Sequence, residues 1–298
     1  MHYYKISSSR LGLVPGLFIA CAALAIFVTD IKAQAPSQII QLSTRMQVGV
    51  GDQVGIGGFI VTGTAPKQVI VRGIGPSLAQ SGITDAMADP VLELHGPAGF
   101  ATVTNDNWRD TQQTQIQGAG LPPTNNLEPA IWATLSPGAY TTILRGKNNT
   151  AGTALVEIYD LTAAPNSKLG NLSTRAFVGD NQNIAIAGII VSAGVGLDQV
   201  VVRGLGPSLS ALGVSNALAN PALELRDHNG SLLVSNNDWQ DNTVQAQQIT
   251  AAGLALTNSI DSALLALLPA GHYTALLFGA NNGTGNGLVE VYDLGATP

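Results

Sequence analysis

The chain has 298 residues, of which 11% are charged, and a net charge of −6. That length allows one large domain or two ordinary ones. The low charge excludes a disordered chain or a long coiled coil. The acidic balance speaks against a nucleic-acid partner.

The chain opens on a targeting segment. Lys5 and Arg10 precede an apolar stretch from Leu11 to Val28, and Asp30-Ile31-Lys32-Ala33-Gln34-Ala35 follows it. This is the order of a secretory signal peptide. A cut after Ala35 fits an A-x-A site but puts Pro36 next to it, whereas a cut after Ala33 leaves Ile31 at the minus-three position. Residues 1–33 are taken as the signal. An uncleaved anchor is the alternative, since eighteen mostly apolar residues just span a bilayer. Cys21, in Phe18-Ile19-Ala20-Cys21, is a poor lipoprotein box because the apolar run continues beyond it. Removing residues 1–33 takes Lys5, Arg10 and Lys32 but only Asp30, leaving 10 basic and 18 acidic residues and a net charge of −8. No cysteine then remains, so neither a disulfide nor thiol chemistry is available. No stable membrane span is expected after signal removal.

The rest is one module written twice. Leu42-Ser43-Thr44-Arg45 returns as Leu172-Ser173-Thr174-Arg175. QVIVRGIGPSL from Gln68 returns as QVVVRGLGPSL from Gln199, nine identities in eleven. Asn105-Asp106-Asn107-Trp108 returns as Asn236-Asn237-Asp238-Trp239, and Val156-Glu157-Ile158-Tyr159-Asp160-Leu161 as Val289-Glu290-Val291-Tyr292-Asp293-Leu294. A period this long is a duplicated domain rather than a solenoid. Repeat one is placed at residues 38–161, a linker at 162–171 and repeat two at 172–294. Whether the copies pack about a pseudo-twofold axis stays open.

Within repeat one, residues 54–61, 68–72, 91–95, 100–104, 139–144 and 153–159 read as strands, from their β-branched content and alternation. Short helical turns are expected at 77–80 and 111–119, and at 208–212 and 244–252 in repeat two. No stretch offers the longer helices a parallel α/β fold needs. The chain is therefore read as all-β, with two tandem homologous β-sandwich domains, jelly-roll or Ig-like, after the signal peptide.

The pattern of STR, VRGxGPSL, NDNW and VExYDL resembles uncharacterised duplicated modules of secreted bacterial proteins. Leu135-Ser136-Pro137-Gly138-Ala139-Tyr140-Thr141 and Leu268-Pro269-Ala270-Gly271-His272-Tyr273-Thr274 resemble the closing strands of bacterial pre-peptidase C-terminal-type modules. Those are secreted, non-catalytic appendages. The resemblance implies secretion or display at the cell surface, with the periplasm a third address, and brings no catalytic residue.

Candidate sites follow from the repeats. Arg72 and Arg203 each end a strand before Gly-x-Gly-Pro-Ser. They are expected in internal ion pairs, with Glu157 and Glu290 or with Glu93 and Glu224. The Gly-rich turn itself exposes backbone N–H groups suited to an anion. Asp106, Asp110, Asp238 and Asp241 sit in Asn/Asp-rich loops whose oxygen spacing can hold calcium. The same residues also make turns and helix caps. Trp108 and Trp239, beside those loops, either stack on a carbohydrate or plug the sandwich. Glu93 with Glu157, or Glu224 with Glu290, is the one arrangement suited to glycoside chemistry. No other catalytic constellation is present. The preferred reading is a non-catalytic structural or binding protein of the envelope or extracellular space, bound to itself or to an extracellular polymer. The alternative is a secreted glycan-acting hydrolase or carbohydrate-binding module.

Overall fold

The computed structural model describes residues 35–162, 166–179 and 184–297. The expected signal peptide lies outside them. The described residues belong to one compact unit. No helix among them is long and apolar enough to cross a membrane.

Among the described residues each repeat supplies eight strands. Repeat one has β1 (Ile39–Val48), β2 (Gly55–Gly63), β3 (Lys67–Ile74), β4 (Pro90–His95), β5 (Val103–Asn105), β6 (Ala130–Leu135), β7 (Gly138–Gly146) and β8 (Gly152–Asp160). Repeat two has β9 (Ser167–Val178), β10 (Ala185–Val191), β11 (Leu197–Leu205), β12 (Pro221–Asp227), β13 (Leu232–Asn236), β14 (Ser262–Leu268), β15 (Gly271–Gly279) and β16 (Gly285–Thr297). Short helices α1 (Gln113–Gly118), α2 (Pro207–Ala211) and α3 (Thr243–Ala251) fall in the connections. The expected helical turns are all present, the one after Pro76 as a 3-10 turn. Strands β6 and β14 carry no clear alternation, and the sequence reading passed over them.

The strands form two antiparallel sheets of eight. Their orders are β13-β12-β15-β10-β1-β8-β3-β6 and β14-β11-β16-β9-β2-β7-β4-β5. Repeat one thus divides into β1-β8-β3-β6 and β2-β7-β4-β5, the strand order of a jelly roll. Repeat two divides the same way, so the all-β sandwich class holds and its jelly-roll form is settled. The sheets trade places between repeats. Each sheet joins the first-strand half of one repeat to the second-strand half of the other.

That join alters the domain picture. At the seam β1 pairs with β10 and β2 with β9, for example Leu42 opposite Ile189 and Phe59 opposite Leu172. The expected 162–171 linker is corrected in its second half. Residues from Ser167 onward are strand, paired with β2 from Ser167 and with β16 from Asn171. Pairing with β2 holds Ser167, Lys168 and Leu169 in the ladder, and Leu169 is buried in the core. The repeated STR motif marks the pseudo-twofold axis, where Thr174 Oγ1 donates to Thr44 Oγ1 at 3.0 Å, both residues buried.

One apolar core fills the space between the sheets and runs through the seam. It includes Phe59, Leu92, Leu144 and Ile158 from repeat one and Leu172, Val202, Leu223 and Leu277 from repeat two. Inward residues alternate with outward ones along each strand, as period-two geometry requires. Two satellite clusters lie on outer sheet faces. Trp108 packs with Ile70, Ile116 and Ala130 under α1, and Trp239 with Val201, Ile249 and Ala263 under α3.

Local motifs have local reasons. Tyr140 and Tyr273 donate their hydroxyls to the carbonyls of Ser136 and Pro269, four residues upstream, at 2.8 Å each. This tyrosine corner accounts for the repeated closing-strand motif. The Asn-Asn pairs of the β7–β8 and β15–β16 loops take left-handed backbone, with φ of 54° and 58° at Asn148 and Asn149 and 55° and 59° at Asn281 and Asn282. Asn tolerates that region better than most side chains.

Candidate functional site

The Arg of each VRG motif anchors a helix connection to the outer sheet face. Arg72 Nε and Nη2 donate to Glu157 Oε2 at 2.8 and 2.5 Å, and its Nη1 donates to the Leu121 carbonyl at 3.0 Å, just after α1. Arg203 does the same with Glu290 and with the Leu254 carbonyl after α3. Each guanidinium also lies over a tyrosine ring, 4.9 Å from the centroid of Tyr159 and 5.0 Å from that of Tyr292. Burial, and then the neighbouring glutamate, push both tyrosine hydroxyls up to about 12. These hydroxyls stay protonated and accept from the guanidinium. The expectation of Arg–Glu157 and Arg–Glu290 ion pairs is met.

Both members of such a pair are largely withdrawn from water, at 15% and 11% side-chain exposure. Removing one leaves the other charge desolvated. Arg203→Met is therefore expected to destabilise the protein by about 3 kcal/mol, the low end for a buried pair. In a domain of this size that is a Tm loss of about 6–12 °C. The double variant Arg203→Met with Glu290→Gln should recover at least half of it. Equal losses in the single and double variants, read by calorimetry, would count against the clamp.

The Gly-x-Gly-Pro-Ser turn is an anion cradle filled by the chain itself. Glu128, fully buried, accepts from the backbone N–H groups of Gly75 and Ser77 at 3.1 and 2.9 Å and from the Ser77 hydroxyl at 2.9 Å. Asp261 serves the same turn in repeat two, accepting from Gly206 N–H at 2.8 Å and from the Ser208 hydroxyl. A Cβ at Gly75 would stand 2.5 Å from the Met87 carbonyl oxygen, and one at Gly206 2.0 Å from that of Leu218. That close approach explains why both copies keep glycine there. The sequence reading missed Glu128 and Asp261. They match in position but differ in type, so no motif flags them.

The Asn/Asp loops close the ends of β5 and β13. Asn105 Nδ2 donates to the Asn107 carbonyl at 3.1 Å, and its Oδ1 accepts from Ala130 N–H at 2.9 Å. Asn236 does the same in repeat two, with Asp238 and Ala263. Asp106 is bridged by Lys147 Nζ at 2.6 Å, and the same ammonium lies 3.6 Å from Asp89. Asp110 is exposed and accepts from Asn107 Nδ2 at 3.0 Å. Asp241, also exposed, occupies the matching turn, with its N–H on the Asp238 carbonyl. Neither aspartate caps a helix. The α3 cap is Asn242, which accepts from Gln245 N–H at 3.1 Å. Among the described residues, no group of three His, Cys, Asp or Glu is arranged to hold a metal.

Two alternatives left open by the sequence do not survive the geometry. Trp108 and Trp239 are 2% and 5% exposed, so their rings offer no face to a sugar. The carboxylates considered for glycoside chemistry also lie apart. Glu93 is on β4 and Glu157 on β8, in different sheets, each pointing outward between inward-facing neighbours. The core separates them. Glu93 is taken up by Arg145 and His95 at 3.1 Å each. Glu224 is taken up by Arg226 at 2.6 Å. Alternation alone places each glutamate outward but does not say in which sheet.

One position is chemically reversed between repeats. In repeat one Lys67 is fully buried, and its Nζ meets Asp160 at 2.5 Å and the Thr162 carbonyl at 2.8 Å. At the matching place repeat two has Asp198, also fully buried, facing Asp293. Lys168 now supplies the ammonium, at 2.5 Å from Asp293. Asp293 also accepts from Ile39 N–H at 3.2 Å and from Gly295 N–H at 2.7 Å. Burial, and then the Asp293 charge, push Asp198 up to about 8.

No protein-family model matches the chain, and none of the curated proteins does either. Among solved structures it is similar to the STIV MCP, at 9% identity and a TM-score of 0.22 over 90% of each chain. It is also similar to a structure of Sulfolobus Turreted Icosahedral Virus, at 11% identity and a TM-score of 0.21 over 88% of this chain and 83% of the other. Likeness at that level carries no argument about what this chain does.

Proposed function

We propose that this is an exported, non-catalytic structural or binding protein that acts through the open end of its second repeat. The observation that carries the reading is a vacated aromatic position. In repeat one the Phe100 ring packs edge-on against Tyr140, with centroids 5.5 Å apart. Ser231 stands at the matching sequence position in repeat two. A mainly apolar groove of about 570 Å³ opens there, lined by Leu233, Val234, Leu265, Leu267 and Tyr273, with Asp227, His228 and His272 also in its wall. It lies between β13 and β14, the strands that end the two sheets on that side. Leu232, Leu233 and Leu267 are about half exposed along this end. Free strand edges with apolar side chains favour pairing with another chain.

The groups repeated in both copies are used by the fold itself: arginines in clamps, carboxylates in cradles, tryptophans under helices. This supports a non-catalytic role over a glycan-acting hydrolase. The leader-like residues 1–33 and the resemblance to modules of secreted bacterial proteins support export to the cell surface or medium.

Sedimentation of the purified protein over a range of concentrations tests the reading. Association is expected, and Leu233→Lys with Leu267→Lys should return the protein to monomer without loss of fold. A monomer at all concentrations that also leaves extracellular polysaccharide and envelope fractions unbound would refute the proposal. So would release of reducing sugar from a glycan panel.

A further inference from the structure

In repeat one three side-chain oxygens are buried and accept no hydrogen bond: Asp89 Oδ1, Asp106 Oδ1 and Asn107 Oδ1. The strand register brings them together. Leu92 of β4 lies opposite Asn105 of β5, so the residues just before β4 run beside those just after β5. Lys147 reaches both carboxylates, but through their other oxygens, Oδ2 in each case. The Asn107 amide is held in one orientation because its Nδ2 donates to Asp110. Three acceptor oxygens are thus left buried with no donor, on side chains of which Asp89 and Asp106 are 28% and 32% exposed overall.

Repeat two leaves the same three positions unsatisfied: Asn220 Oδ1, Asn237 Oδ1 and Asp238 Oδ1. The register is the same, with Leu223 opposite Asn236. The side-chain type differs from repeat one at every position, yet an oxygen acceptor is kept at each. Charge is conserved as well. Asp89, Asp106 and Lys147 together carry −1. In repeat two only Asp238 is charged, because Ala280 replaces the lysine. Turn formation alone would not require this pattern, since a buried acceptor without a donor costs about 1–3 kcal/mol.

We propose that each repeat binds one calcium ion through these oxygens: Asp89, Asp106 and Asn107 in the first, Asn220, Asn237 and Asp238 in the second. An all-oxygen donor set of carboxylate and amide groups selects a hard cation. Water completes the shell. The single net negative charge sets an affinity in the range of about 0.1–1 mM, as in extracellular modules. The set brings in Asp89 and Asn220, and it leaves Asp110 and Asp241 in their turns.

Terbium luminescence excited through tryptophan is the direct test, because Trp108 and Trp239 directly follow the ligand loops. The purified full chain should sensitise terbium, calcium should displace it, and calcium should raise Tm by about 4 °C or more over EDTA. Asp238→Ala, which disturbs no lysine, should halve the bound terbium. Asp106→Ala with Asp238→Ala should abolish it, with Tm in EDTA reporting separately on the fold. Asp110→Ala with Asp241→Ala should leave binding intact. The proposal is overturned if the folded wild-type protein shows neither calcium-displaceable terbium nor a Tm shift, which would assign the pockets to buried water. It is overturned equally if the Asp110 and Asp241 variants lose the ion while the Asp106 and Asp238 variants keep it.

Discussion

Produced alone, residues 35–162 are expected not to fold as a monomer. Separating the repeats strips β1 of β10 and β2 of β9, leaving both first-repeat sheets with an open, apolar-backed edge. It also cuts the shared core, exposing side chains such as Leu42 and Phe59 that are buried in the whole chain. Each fully exposed residue of that kind forfeits about 1.5–3 kcal/mol, and a handful of them equals the whole stability of an ordinary domain. Pseudo-twofold symmetry provides a substitute partner. Strand β9 is the counterpart of β1, and β10 of β2, so a second copy of repeat one can offer β2 to β1 and β1 to β2. The fragment should therefore appear in size-exclusion chromatography as a dimer or an aggregate. A cooperatively unfolding monomer would show that each jelly roll is self-sufficient and that the seam is only an interface.

Alkaline pH should weaken the protein through Asp198. This carboxyl is fully buried, faces Asp293, and is raised to about 8 by burial and by that neighbouring charge. The groups facing it are Asp293 and, beyond it, Lys168. Protonated, Asp198 donates to Asp293 and fills the role that the Lys67 ammonium plays toward Asp160. The unfolded carboxyl has a pKa near 4, so between about pH 4 and pH 8 the folded state holds a proton that the unfolded state has released. Stability is then fully present below pH 4 and falls as pH rises through that window. The slope is at most about 1.4 kcal/mol per pH unit. Asp198→Asn supplies a permanent N–H donor of the same shape. It should flatten the profile between pH 5 and 8.5 and leave the variant more stable than wild type at the upper end. Because Asp293 also accepts from Ile39 N–H, protection against hydrogen exchange at the start of β1, corrected for the intrinsic rise of amide exchange with pH, should fall as pH rises in wild type but stay constant in the variant. A wild-type denaturation midpoint that does not move between pH 5 and 8.5 would refute this account.

Much of the fold was legible because period-two alternation and turn chemistry are local. The strands around Val71, Leu92, Tyr140 and Ile158 announce themselves by β-branched and alternating residues, and the helical turns by Pro76 and Pro207. The Arg72–Glu157 and Arg203–Glu290 pairs were legible as well, since so few charges leave few partners. The candidate cation sites were only half visible. The loops after β5 and β13 show in the sequence, but Asp89 and Asn220 join them through strand pairing across more than fifteen residues. The cradle carboxylates Glu128 and Asp261 were hidden because they differ in type between the repeats and reach their turns from about fifty residues away.

The sequence by itself determined the duplication and the all-β class, because each is written in spacing, composition or repetition. Tertiary structure alone decided that the two jelly rolls exchange sheets at a shared seam. It also buried the tryptophans under α1 and α3, and it divided Glu93 and Glu157 between opposite faces. The physical reason is the same in each case. Alternation says that a side chain points away from its neighbours, but only non-local hydrogen bonding chooses the sheet it belongs to and what covers it.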